Sequence, residues 1–200
     1  MYAQDRRIAT CRSLRLWDNR VVQGHRSETS MPNESRLKLH KDLGIPPDYA
    51  TSRNLPEFTE TADLIEVGPN LVGRMQRLSP SAAAQWQQMV EAAANDGIRL
   101  LIVSGFRSFE YQANLIRNKL DSGQDIDEIL KTSAAPGYSQ HHTGNAIDIA
   151  TPGSRPLTEE FETSEAFAWL GENAKTYNFS MTYERDNPYG MIYEPWHWSL

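Results

Sequence analysis

Apolar residues recur along this chain with two periods, and the switch between them marks out the elements. Over residues 82–94, Trp86, Met89, Val90 and Ala93 fall at helical spacing, a stripe that one helix face would bury. Ser79 can cap that helix, Pro80 suits its first position, and Asn95-Asp96-Gly97 ends it. Residues 98–103 form instead a continuous β-branched and leucine-rich run, the pattern of a buried strand. Shorter strands are predicted over 63–67, closed by Gly68-Pro69-Asn70, and over 145–150, 179–183 and 191–198. The last two are joined by the turn Asp186-Asn187-Pro188-Tyr189-Gly190. Further helices are expected from Ser108 through 110–120, over 124–132, and over 164–177, where Phe167, Leu170 and Ala174 share a face and Asn178 is a stop. Residues 137–144 read as a loop. Helices and strands interleave, but the final strands follow a hairpin-like turn. This predicts an α+β fold with a small, mostly antiparallel sheet flanked by helices, rather than a doubly wound parallel one.

The first 55 residues carry no clean period and are interrupted by Pro32, Pro46 and Pro47, with Pro56 just beyond. They are expected to form an irregular N-terminal extension with a short helix or two, and 56–200 the domain proper. A chain of 200 residues is long enough for a self-sufficient core. Its net charge of -6 disfavours nucleic acid and anionic membrane surfaces, both of which call for a concentrated basic face. No apolar run approaches the ~20 residues of a membrane span. The stretch 1–17 is broken by Asp5, Arg6, Arg7 and Arg12 and lacks the apolar core of a secretory signal. Either export is not encoded there or a leader has been removed. A monomer is the favoured state. Cys11 is the single cysteine, which excludes an internal disulfide and any cysteine-based zinc site, so a metal would have to be held by His and carboxylates.

Two segments supply such groups. Ser139-Gln140-His141-His142-Thr143-Gly144-Asn145-Ala146-Ile147-Asp148 runs from the loop into a strand, and Glu194-Pro195-Trp196-His197-Trp198 lies near the C-terminus. A catalytic zinc ion takes three protein ligands of N and O type and keeps a fourth position for water. His141 and Asp148 stand seven residues apart with Gly144 between them, where a backbone can turn or approach closely. On the strand, Ala146 and Asp148 share one face and Ile147 and Ile149 the other, so the carboxylate can look into a cleft over a small residue. His197 on a neighbouring strand would complete the set. Glu194 would be the base that takes a proton from water. It differs from His197 by three positions, which sets the two on opposite faces of a regular strand. Pro195 resolves this if Glu194 sits just before the strand begins. Trp196 and Trp198 alternate with His197 and should pack on the opposite face, while His25 and His40 have no partners in the sequence.

The pattern S-x-H-x-x-G-x-A-x-D followed by E-x-W-H resembles the VanY-like D-alanyl-D-alanine carboxypeptidases, within the LAS zinc metallopeptidases. Ser104-Gly105-Phe106-Arg107-Ser108 with Gln112 resembles the same family's S-G-[FY]-R-S-x-x-x-Q block, and Tyr138 and Tyr193 fit its habits. The likeness covers roughly residues 60–200. It implies the LAS/Hedgehog-like peptidase fold, zinc (Zn2+) on His141, Asp148 and His197, and Glu194 as general base. Arg107 would polarise the scissile carbonyl or hold a carboxylate. Gln112, Ser139 and Tyr193 would line the substrate site. The substrate would be the peptidoglycan stem peptide, cut at its D-alanine end, which implies a periplasmic or extracytoplasmic place of action. Two rivals carry different outcomes: a same-fold cell-wall endopeptidase of the lysin type, and a zinc-bearing module that binds peptidoglycan without cutting it. His142 beside His141 leaves an error of one residue open in the first ligand.

Overall fold

A computed structural model describes residues 33–200; Cys11, His25 and the stretch in which a leader was sought lie outside them. Helices α1 (Asn33–Asp42) and α2 (Tyr49–Ser52) precede a hairpin of β1 (Ile65–Pro69) and β2 (Met75–Leu78). Then come α3 (Pro80–Asn95), β3 (Leu101–Ser104), α4 (Phe109–Asp121), α5 (Ile126–Thr132), β4 (Ala146–Ala150), α6 (Glu165–Asn173), β5 (Ser180–Met181) and β6 (His197–Ser199). β3 to β6 form one sheet in the order β3-β4-β6-β5, every pair antiparallel. The α+β architecture with a small antiparallel sheet is therefore the one the hydrophobic pattern predicts.

The helix starts follow from side-chain caps. Ser79 accepts from the Ala82 amide at 3.2 Å, with Pro80 at the first helical position, and Ser108 accepts from the Tyr111 amide at 3.1 Å. Each hydroxyl satisfies one of the amides that a helix leaves unpaired at its start. Helix α6 gives way to a 3₁₀ turn that stops at Asn178, whose φ of 62° a helix cannot continue through.

Strand boundaries depart further from expectation. The β3 strand begins at Leu101 rather than 98, because the Ile98 amide is spent on the Ala93 carbonyl in closing α3. Residues 191–196 are not strand: the Ile192 amide goes to Lys131 and the Glu194 amide to Tyr183, and only His197–Ser199 pairs in the sheet. The final hairpin is thus an irregular excursion between two very short strands. Strand β2 was not foreseen, its polar Gln76 and Arg77 masking the pattern.

Two main cores hold the described residues together. The larger joins Trp86 and Met89 of α3, Ile147 and Ile149 of β4, Leu170 of α6, and Trp196 and Trp198. The smaller joins Leu43, Ile45 and Tyr49 to Ala113 and Ile116 of α4 and to Ile129 and Leu130 of α5. Residues 33–55 are thus packed onto α4 and α5. Among the described residues no helix is long and apolar enough to cross a membrane.

Candidate metal centre

Register places the chemistry. On β4, Asp148 pairs with Ser104 of β3 on one side and His197 of β6 on the other. Its neighbours Ile147 and Ile149 enter the core, so by strand alternation the carboxylate turns to the opposite face. The 3₁₀ turn Gln140–Thr143 lays His141 against the same point, and Gly144 ends that turn at φ 71°. A Cβ there would meet the Ser79 amide nitrogen at 2.7 Å, so both conformation and space require glycine.

His141, Asp148 and His197 converge, all buried, with one ligand atom from each within 4.8 Å of the others. His141 Nε2 lies 3.3 Å, and His197 Nδ1 3.1 Å, from Asp148 Oδ1. Tetrahedral ligands with bonds of about 2.0–2.1 Å stand roughly 3.3 Å apart, which is the spacing of these two pairs. The tautomers agree with the same reading. His141 donates Nδ1–H to the Gly105 carbonyl at 2.7 Å, and His197 donates Nε2–H to Gln140 Oε1 at 2.8 Å. Each ring therefore turns a lone pair inward, the outer hydrogen bond fixing which nitrogen does so. His141 Nε2 is buried and has no hydrogen-bond partner. An unpaired acceptor of that kind is costly, and a cation beside it would satisfy it. Two imidazoles and a carboxylate with a position open to the cleft fit a zinc ion.

His142 is excluded from the set. Its Nδ1 donates to the Arg107 carbonyl at 2.7 Å, and its Nε2 accepts from the Gly137 amide at 3.1 Å, so neither nitrogen remains.

Charges around the cage are coupled. Burial lowers the His141 pKa to about 4, with Arg107 adding to the effect. For Asp148 burial acts upward, but the charges of His141 and Arg107 outweigh it and hold the carboxyl well below its usual range. Arg107 binds Asp148 Oδ2, leaving Oδ1 to the imidazoles, and its Nε donates to Ser104 Oγ at 2.8 Å. Glu194 sits just ahead of β6, where the Pro195-Trp196 turn brings its Oε2 to 4.0 Å from His197 Nδ1. Burial, then the charge of Asp148, pushes its pKa up to about 8.

These groups line one cleft of about 470 Å³, together with Gln112, Ser139, Lys119 and Tyr183. Gln112 is buried; its Nε2 donates to the Ala134 carbonyl at 2.8 Å and its Oε1 has no partner. Tyr193 is not brought to the cleft. Its neighbour Glu194 points in, and the Tyr193 ring turns out beneath Arg185, 4.0 Å from the guanidinium. Gln140, Lys119 and Tyr183 were not foreseen. Only Lys119 had a signal, standing two helical turns beyond Gln112 on α4.

The described residues thus join an α+β fold to a buried His-Asp-His group that could hold a metal ion. The family model of VanY, D-alanyl-D-alanine carboxypeptidase, matches residues 75–200, and the chain belongs to that family. A Bacillus subtilis (strain 168) protein provisionally named carboxypeptidase YodJ is 31% identical over 72% of this chain, which spans about half (55%) of that relative's length. Among solved structures, the LdcB LD-carboxypeptidase is 30% identical with a TM-score of 0.63, covering 72% of this chain and 70% of its own. The vancomycin-resistance D,D-pentapeptidase VanY of a VanB-type cassette, solved as a variant in complex with Zn(II), is 26% identical with a TM-score of 0.54, over 68% and 78%.

Proposed function

We propose that this protein is a zinc-dependent carboxypeptidase that removes the C-terminal D-alanine from peptidoglycan stem peptides. His141, Asp148 and His197 hold the metal, Glu194 is the general base, and Arg107, Gln112 and Ser139 bind substrate. One observation carries the reading: the buried, unpartnered Nε2 of His141 faces Asp148 and His197 while the Glu194 carboxylate stands beside them. Zinc, when bound, supplies a Lewis acid and makes water nucleophilic near neutral pH.

The chain's own groups do the rest. Glu194 takes a proton from the attacking water and returns it to the departing D-alanine nitrogen. Burial and the charge of Asp148 raise its pKa in the metal-free protein, and a divalent cation bound beside it would draw it back down, leaving a carboxylate free to take that proton. Arg107 spends one nitrogen on Asp148 and one on Ser104. The remaining N–H groups of the fork are free for a substrate oxygen. Gln112 Oε1 is an acceptor suited to a peptide N–H. Action on such a substrate places the protein outside the cytoplasmic membrane.

The test is release of D-alanine from synthetic stem peptides by zinc-loaded wild type and by Glu194→Gln, with zinc content measured in both. The variant should keep its zinc and lose roughly 10²–10⁴ in rate. Equal rates remove Glu194 from the base role. Peptides with an L- or a D-residue before the terminal D-alanine separate L,D from D,D specificity, and cell-wall solubilisation without D-alanine release would mark an endopeptidase instead.

A further inference from the structure

The cleft has a second cationic end that the chemistry above does not use. Gln112, Leu115 and Lys119 stand at i, i+3 and i+7 on α4 and all line the cleft, while Ala113 and Ile116 of the same helix enter the smaller core. The floor of the cleft therefore runs along α4. Seven residues at 1.5 Å each put Lys119 about 10 Å along the helix from Gln112, the length of roughly three extended peptide residues.

The ammonium is held in place. Lys119 Nζ donates to Thr132 Oγ1 at 2.9 Å and to Ser133 Oγ at 2.8 Å. Thr132 Oγ1 in turn donates to the Ile129 carbonyl at 3.1 Å, which commits its lone pairs to the lysine. An ammonium has three donors, and these two contacts are to neutral hydroxyls rather than to a carboxylate. A flexible lysine tied at the end of α5 and lining a cleft has already lost much of the side-chain entropy that an ion pair with a ligand would otherwise cost.

We infer that Lys119 is the second anionic anchor point of the cleft, holding a carboxylate of the bound peptide apart from the groups around Arg107. This rests on the peptide-substrate reading above. The carboxylate has two possible sources, the peptide's C-terminus or an acidic residue on the N-terminal side of the cut bond. Burial lowers the Lys119 pKa, against the charge of Glu194 that raises it, and the same desolvation strengthens a pairing made there.

The experiment measures binding in the zinc-loaded Glu194→Gln protein, so that the outcome does not depend on turnover. Three synthetic stem peptides serve as probes: one with free carboxylates, one amidated at its C-terminus, one amidated at its internal acidic residue. Lys119→Met should weaken the free peptide about tenfold, between the values for exposed and for desolvated charge pairs. One of the two amidated peptides should bind the Lys119 protein just as weakly and be indifferent to Lys119→Met; that peptide names the carboxylate. Lys119→Arg should restore most of the discrimination. Equal binding of all three peptides to the protein that retains Lys119 overturns the inference, and needs no variant that must fold. So does an equal loss on all three peptides in Lys119→Met, which would make the lysine a brace between α4 and α5. Absence of D-alanine release by the wild type, with the binding pattern intact, would sink the carboxypeptidase reading and leave Lys119 in its role.

Discussion

At the scale of single residues, the cage is specified by the groups that touch the outer edges of its imidazoles. His141 is oriented by a backbone carbonyl, which no side-chain substitution removes, whereas His197 depends on Gln140. Gln140→Ala should therefore lower zinc affinity by roughly 10–100-fold, the usual weight of a partner behind a metal-bound histidine. Competition with a chromophoric chelator measures it, alongside a thermal melt to confirm folding; unchanged affinity would mean that Gln140 does not set the ring. His197→Ala should abolish stoichiometric zinc altogether. The sequence pointed to His197 and, by motif spacing, to His141 rather than His142, yet it left an error of one residue open between those two neighbours. The choice lies in three-dimensional contacts: His142 has both nitrogens occupied, by Arg107 and Gly137, and His141 has one free. Gln140 could not be named at all, because its role exists only once β6 carries His197 alongside the 3₁₀ turn.

At the scale of elements, the site is a crossing of turns fixed by backbone bonds. The Ser79 amide reaches the Gly144 carbonyl at 2.9 Å, the Phe106 amide the Arg77 carbonyl at 2.8 Å, and the Arg107 amide the His141 carbonyl at 3.1 Å. Start of α3, exit of β3 and the histidine turn are thus mutually braced. Gly144→Ala forces a side chain into the left-handed region and against the Ser79 amide. The conformation alone costs about 1–2 kcal/mol, and the contact adds to it. Urea denaturation of metal-free protein should show a loss of at least that size, and a loss under ~0.5 kcal/mol would mean that the turn relaxes freely. The elements that local chemistry specifies were legible from sequence: α3 and α4, each with a serine cap, and α6, closed through its 3₁₀ turn by Asn178. Strand β4 was legible too, expected over 145–150 and found at Ala146–Ala150, whereas β2 was missed and the ends of the other strands were not legible. Their ends are decided by bonds made outside the ladder, as when the Ile98 amide turns back to Ala93 and the Ile192 amide to Lys131. The irregularity at 191–196 is also what frees Glu194 from strand alternation and lets it face the cleft beside His197.

At the scale of the whole molecule, packing a cluster of ionisable groups between two cores makes folding itself pH-dependent. In metal-free protein, burial, the foremost cause for both, holds His141 and His142 at about 4 against an ordinary 6.5. Between those values the unfolded chain binds protons that the native state refuses, so their contribution to stability is full above about 6.5 and is lost as pH falls towards 4. Glu194 acts in the other direction. Raised to about 8 from 4.5, chiefly by burial, it stays protonated in the native state while the unfolded chain ionises, so stability declines as pH rises from 4.5 to 8. His141 and His142, joined by His40, whose pKa burial also lowers, outweigh one glutamate and give a net rise up to about pH 6.5, and Glu194 gives a fall beyond it, at a slope of about 1.4 kcal/mol per pH unit for each unbalanced proton. Asp148, held low, adds a loss only at still more acid pH. Melting temperatures of chelator-treated protein across pH 5–9 should therefore peak near 6.5. Glu194→Gln, neutral at every pH, should keep the acid limb and flatten the alkaline one up to about pH 8. An alkaline limb that survives in the variant would show that Glu194 ionises without penalty in its pocket, and the buried carboxylate would then be solvated well enough to titrate as an ordinary surface acid.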